Sequence, residues 1–194
     1  MFWIHGGAFT GGSGSDSTFD GGPMASRGDV VLVTINYRLS TLGFLALDDG
    51  KTNGNFGIAD QITALEWVSE HISAFGGDPD RITIFGQSAG AGSVRALLQS
   101  PKAFGKYAAA IQMSNLAGVG YATTYSQYYT IAQEQSLVAN PILAATGCNN
   151  ATDALACLKT IDGNALVNLP TVARCAIHVR RHTTLLTPLK ICGR

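Results

Sequence analysis

Ser88 is the residue whose neighbours best equip it for chemistry. It stands in Gly86-Gln87-Ser88-Ala89-Gly90, a G-x-S-x-G pattern between the β-branched run Ile82-Thr83-Ile84-Phe85 and a small-residue segment, 88–99, that reads as a helix ended by Pro101. With 13 Ser and 23 Gly in 194 residues, chance alone would produce such a pentapeptide about 0.2 times, so the strand-to-helix context is what makes Ser88 a candidate nucleophile. Gly86 and Gly90 leave room for a strained turn that lifts the hydroxyl clear of the sheet edge, and the helix N-terminus lies beside any oxyanion that develops there. Acyl transfer also needs amide donors aimed at that oxyanion. The loop Gly6-Gly7-Ala8, after the apolar Phe2-Trp3-Ile4, is a candidate source.

These groups must be held by a frame. Phe2-Trp3-Ile4 reads as the end of a buried strand, and the glycine-rich stretch after it as a loop of unusual backbone angles. Val30 to Ile35 is β-branched without polar alternation, which predicts a strand buried on both faces. Ile58, Ile62, Leu65, Ser69 and Ile72 recur at helical spacing, and Phe75-Gly76-Gly77-Asp78-Pro79 stops that helix. Ile82 to Phe85 and Tyr107 to Met113 predict two more strands, and Ser126 to Val138 a further helix. Strands alternating with helices indicate an α/β fold with a mostly parallel sheet and flanking helices.

Phe2 to Phe9 (FWIHGGAF), Ile35 to Leu45 (INYRLSTLGFL), Asn55 to Gln61 (NFGIADQ) and Phe75 to Gly92 (FGGDPDRITIFGQSAGAG) resemble successive blocks of the type-B carboxylesterase and lipase family, its fungal members included. The resemblance covers about residues 1–162 and implies a partial α/β-hydrolase fold lacking the early strands and the C-terminal half. It implies Ser88 as nucleophile, the amides of Gly7, Ala8 and Ala89 as oxyanion hole, and a small-molecule or lipid ester as substrate. Ala8 replaces a glycine often found there, which the backbone N–H tolerates. Gln87 replaces a frequent glutamate, so any help that carboxylate gives a catalytic imidazolium is absent. Arg38 and Asp60 resemble the family's structural ion pair, with two separate surface charges as the alternative. Cys148 and Cys157 resemble a disulfide loop of the fungal branch; two buried thiols are the alternative. A disulfide would place the parent protein in an oxidising, secreted setting, with which the acceptor Asn150-Ala151-Thr152 is compatible.

In this fold the triad runs Ser, acid, His, and the resemblance puts the acid and histidine beyond residue 194. Glu134, Asp153, Asp162, His178 and His182 match no family motif and read as surface or tail residues; His5 reads as structural, His71 as helix surface. The chain as given is therefore expected to be a poor catalyst. No metal or organic cofactor is called for.

The residues are 46% hydrophobic and 13% charged, which fits a packed domain rather than a disordered chain. Thirteen basic and thirteen acidic residues balance to zero, so neither nucleic acid nor an anionic membrane surface is indicated as a partner. No apolar run approaches the ~18 residues of a membrane span. Oligomeric state is not legible. Residues 1–162 carry 8 basic and 13 acidic residues, whereas 163–194 carry Arg174, Arg180, Arg181, Lys190 and Arg194 and no acid. That break, with an abrupt start lacking a signal peptide, leads us to expect residues 1–162 as a partial domain and 163–194 as a basic tail of non-native sequence from a gene-model error.

Two rivals stand beside the esterase: a non-catalytic adhesion or binding protein on the same fold, whose members typically lose the serine, and an inactive gene-model fragment. Gly50-Lys51-Thr52 lacks the first glycine and feeding strand of a phosphate loop, so nucleotide binding is not expected. The tyrosines at 121, 125, 128 and 129 read as half-buried packing or as the lining of a substrate pocket, and Cys175 and Cys192 support no inference.

Overall fold

The computed structural model describes residues 1–115 and 128–169. Four strands, β1 (Phe2–Ile4), β2 (Val33–Thr34), β3 (Thr83–Gln87) and β4 (Ala109–Met113), form one sheet in the order β2-β1-β3-β4, every pair parallel. The helices are α1 (Gly22–Gly28), α2 (Ser40–Phe44), α3 (Phe56–His71), α4 (Ala89–Gln99), α5 (Ile131–Glu134), α6 (Asn140–Thr146), α7 (Ala154–Leu158) and α8 (Gly163–Val167). The central strands are the apolar ones. Phe2, Ile4 and Ile84 are fully buried and belong to one core with Phe44, Leu65, Val94 and Leu97 from the helices, as expected of a parallel sheet with covered faces.

The Val30–Ile35 run departs from expectation. Only Val33 and Thr34 pair with β1, and both are half-buried. β2 is the outer strand among the described residues, so no ladder covers its far side. β4 starts at Ala109, two residues later than expected, and as the opposite outer strand it leaves Ile111 and Met113 exposed.

α3 follows its pattern, burying Ile58, Ile62, Leu65 and Val68, with Val68 rather than Ser69 completing the stripe. Its end is set by Gly76 at φ +81°, whose N–H reaches the Ser73 carbonyl while Gly77 reaches back to Ile72. That is a glycine stop of the left-handed kind. The Ser126–Val138 helix is corrected at both ends. Ser126 lies outside the described residues, and helix begins at Ile131 behind a Thr130–Gln133 capping box. It then continues past Val138 through a π turn at Gln135–Ala139 into α6, which carries Pro141 at its start. Pro141 has no N–H and its ring crowds the carbonyl four residues earlier, and the wide turn before it makes room.

α7 and α8 are short helices capped by Asp153 and Asp162, whose carboxylates accept from the amides of Ala156 and Ala165. Leu166 of α8 is buried in the core. Packing thus continues past the change in charge at residue 163.

Candidate active site

β3 ends at Gln87 and α4 begins at Ala89, which leaves Ser88 as the single residue between them. Its backbone sits at φ 57°, ψ −119°, a conformation L-residues avoid at a cost of about 1–3 kcal/mol. Neighbours on both sides hold it there. Ser88 N–H donates to the Met113 carbonyl in β4 at 3.0 Å, and the Ser88 carbonyl accepts from Gly92 at 3.0 Å as the first bond of α4. The side chain projects half-buried at the C-terminal end of the strand, beside the first amide of the helix, that of Ala89.

Glycine is required around this turn because three backbones converge. A Cβ on Gly90 would lie 2.0 Å from the Ile4 carbonyl oxygen, and one on Gly86 2.6 Å from the Gly90 carbonyl. One on Gly6 would lie 2.6 Å from the Gln87 carbonyl oxygen and 3.2 Å from Ser88 Cβ. The loop after β1 therefore runs directly against Ser88. In that loop Gly7, Ala8 and Phe9 all have positive φ, at 118°, 56° and 61°. The Gly7 carbonyl accepts from Thr10 and Gly11, and the Phe9 carbonyl accepts from Ser40 at 2.7 Å. Phe9 anchors the loop in the core with its ring 5.0 Å from that of Phe44.

His5 is buried beneath this loop. Its ring stacks on Tyr37 at 4.5 Å, its Nδ1–H donates to the Gly6 carbonyl at 2.8 Å, and its own carbonyl accepts from the Tyr37 hydroxyl at 2.8 Å. Burial pushes the Tyr37 phenol well above its ordinary pKa, so it stays a donor. Tyr37 was not singled out from the sequence; it lies in a recognisable block, but its hydrogen bond spans 32 positions.

Residues 1–187 match the Carboxylesterase family. The chain belongs to that family. It is 52% identical over 116 residues to para-nitrobenzyl esterase of Bacillus subtilis (strain 168), covering 59% of this chain and 24% of that protein. It is 43% identical over 174 residues to bile salt-activated lipase of Mus musculus (86% and 28%) and 42% identical over 171 residues to neuroligin-2 of Mus musculus (87% and 19%). A solved PNB esterase superimposes with a TM-score of 0.73 at 41% identity, covering 86% of this chain and 33% of that one. The fold is an α/β-hydrolase fold. The chain spans between a fifth and a third of the length of these relatives.

Within this carboxylesterase frame, Arg38 and Asp60 form a two-pronged ion pair. Arg38 Nη2 lies 2.7 Å from Asp60 Oδ1, and Nε 2.8 Å from Oδ2, which also accepts the Arg38 backbone N–H at 2.9 Å. Burial works against the Asp60 carboxylate, yet the Arg38 hydrogen bonds outweigh it and hold its pKa below the ordinary carboxylate range. The pair ties the chain after β2 to α3. Cys148 and Cys157 are joined by a disulfide that ties the end of α6 to α7, and Asn150 is exposed within the loop it closes.

The candidate acids divide. Asp153 and Asp162 are exposed helix caps, as their motif-free setting implied. Glu134 is not a surface residue: its side chain is fully buried, and burial pushes its pKa up to about 8. The outer edge of a helix run becomes interior here because the π turn that follows α5 packs Val138 and Ala139 into the core. His71 is exposed, its Nδ1–H bonded to the Trp67 carbonyl and its ring stacked on Trp67. Among the described residues no histidine or acid is hydrogen-bonded to Ser88. His178, His182, Cys175, Cys192, Tyr121 and Tyr125 lie outside the described residues; Tyr128 carries the Arg95 guanidinium over its ring and Tyr129 is buried. Asp49 folds the Gly50-Lys51-Thr52 segment into a turn by accepting the amides of Lys51 and Thr52, with no phosphate-loop geometry.

No helix among the described residues is long and apolar enough to cross a membrane.

Proposed function

We propose that this chain carries the nucleophile half of a serine carboxylic-ester hydrolase. The observation that supports it best is the strained Ser88 turn with the Gly6 backbone against it. Strain of this kind persists where the surroundings over-determine it, and it aims the hydroxyl outward at the end of a central strand. In this reading Ser88 Oγ attacks the ester carbonyl, the proton passes to a base, and the amides of Gly7, Ala8 and Ala89 receive the carbonyl oxygen as it becomes an oxyanion. The alcohol leaves, and water then releases the acyl group from Ser88. We place the acid and histidine of the triad in the part of the relatives' length that this chain does not span, so residues 1–194 alone are a weak catalyst. Loss of a triad base costs about 10⁶ in kcat.

The parent protein is, on the same reading, secreted: the Cys148–Cys157 disulfide and the exposed Asn150 acceptor support an oxidising compartment. The basic segment 163–194 we read as foreign to the domain only towards its end, since α8 at its start is packed and the family match runs to residue 187. The identity to neuroligin-2 favours a second reading, a binding protein on the same fold; the intact Gly86–Gly90 turn weighs against it.

The deciding experiment is labelling of a completed parent protein with a fluorophosphonate, followed by peptide mapping. Modification at Ser88, lost in Ser88→Ala together with turnover of p-nitrophenyl butyrate, is expected. An unlabelled Ser88 in folded protein favours the binding protein.

A further inference from the structure

A cavity of about 570 Å³ lies on the α2, α7 and α8 side of the molecule, and none of its lining residues belongs to the Ser88 turn or the Gly6–Ala8 loop. Its volume falls within the roughly 300–1,000 Å³ of small-molecule sites. One wall is Leu42, Leu45 and Phe56, the other Leu155, Leu158 and Leu166. This arrangement accounts for Leu42, whose 49% exposure is otherwise unexplained.

The charged lining is of one sign: Arg38, Lys51 and Lys159, with no acid. Arg38 is already neutralised by Asp60. Lys51 and Lys159 are exposed, and neither takes part in a salt bridge among the described residues. Lys51 also borders an adjacent cavity that holds Asp48, Asp49 and Asp153, but among the described residues none of these carboxylates forms a salt bridge with it, and Asp49 is held by the amides of Lys51 and Thr52. An aliphatic interior with two uncommitted ammonium groups at its margin suits one class of ligand, an aliphatic chain ending in an anion.

We propose that this cavity binds a medium-chain or long-chain carboxylate, with the hydrocarbon between the two leucine walls and the carboxylate at Lys51 and Lys159. The two ammonium groups come from segments 108 positions apart, and only the docking of α7 and α8 beside α2 brings them to one cavity. The site is independent of Ser88, so it stands whether or not the esterase reading holds, and its test measures binding rather than turnover.

Equilibrium dialysis of the 194-residue chain against radiolabelled dodecanoate, kept below its micelle concentration, reads the site directly. One equivalent should bind. Dodecan-1-ol, which has the chain without the charge, should bind at least tenfold more weakly, and each methylene removed from the acid should cost about fourfold. The double variant Lys51→Gln, Lys159→Gln should lose at least tenfold in dodecanoate affinity while its dodecanol binding stays within twofold. Gly163→Phe supplies a second test, because Gly163 lines the cavity and a Cβ there meets nothing within 4 Å. It should abolish uptake with the circular dichroism spectrum unchanged; if it unfolds, the lysine variant decides. No uptake by the wild type, equal affinity for acid and alcohol, or an unaltered affinity in the lysine variant would each overturn the proposal.

Discussion

Gly90 and Ile4 are in backbone contact: α4 and β1 approach so closely that a methyl group on Gly90 would sit 2.0 Å from the Ile4 carbonyl oxygen. Ala89, Gly90, Ala91 and Gly92 give the first turn of α4 no side chain larger than a methyl. This small-residue face lets the helix begin directly over the sheet, which is what places Ser88 at the strand end.

Gly90→Ala should therefore destabilise by about 2–3 kcal/mol, more than its gain in helix propensity of about 1 kcal/mol offsets. Urea unfolding followed by circular dichroism measures it. A variant as stable as the wild type would mean that α4 can move away from Ile4 without cost.

Ser88→Gly and Ser88→Ala both remove the hydroxyl, but only glycine accommodates φ 57°, ψ −119° without strain. Despite the greater freedom of glycine in the unfolded chain, Ser88→Gly should be more stable than Ser88→Ala, by about 1 kcal/mol. Paired thermal melts give the difference. The opposite order would show that the turn is not strained.

Asp60 has a folded pKa below its unfolded value, so its stabilisation is present above the usual carboxylate range near ~4 and is lost as pH falls through the folded value. Both partners are partly exposed, which limits the effect to about 1 kcal/mol. Asp60→Asn should lower stability at pH 7 by that amount and converge with the wild type as pH falls through the folded value. Denaturation midpoints across that range check it, and parallel curves would remove Asp60 from the acid transition.

Glu134 has the opposite sign. Its folded pKa, pushed up to about 8, lies above the unfolded value, so between about pH 4.5 and 8 the unfolded chain binds fewer protons and stability falls as pH rises. Glu134→Gln should remove a loss on the order of 3 kcal/mol between pH 5 and 8. Chemical denaturation at the two pH values gives the result; an unchanged slope would place the titration on another group.

What the sequence by itself determined is local. The β-branched Ile82–Phe85 run, the glycines on either side of Ser88 and the Gly76-Gly77 stop each act within a few residues, so the strand, the turn and the end of α3 were legible. The Cys148–Cys157 and Arg38–Asp60 pairs became legible through family resemblance, since neither spacing nor composition names a partner. Tertiary structure decided the rest, because burial and contact depend on segments far apart in the chain. Val30–Ile35 has the composition of an inner strand, yet only two residues pair, because pairing depends on which neighbours flank the strand. Glu134 looks like a surface acid until the π turn after it packs Val138 and Ala139 into the core. The approach of Gly6 to Ser88 spans 82 positions. It exists only because β1 and β3 are adjacent parallel strands whose C-terminal ends bring both loops to the same edge.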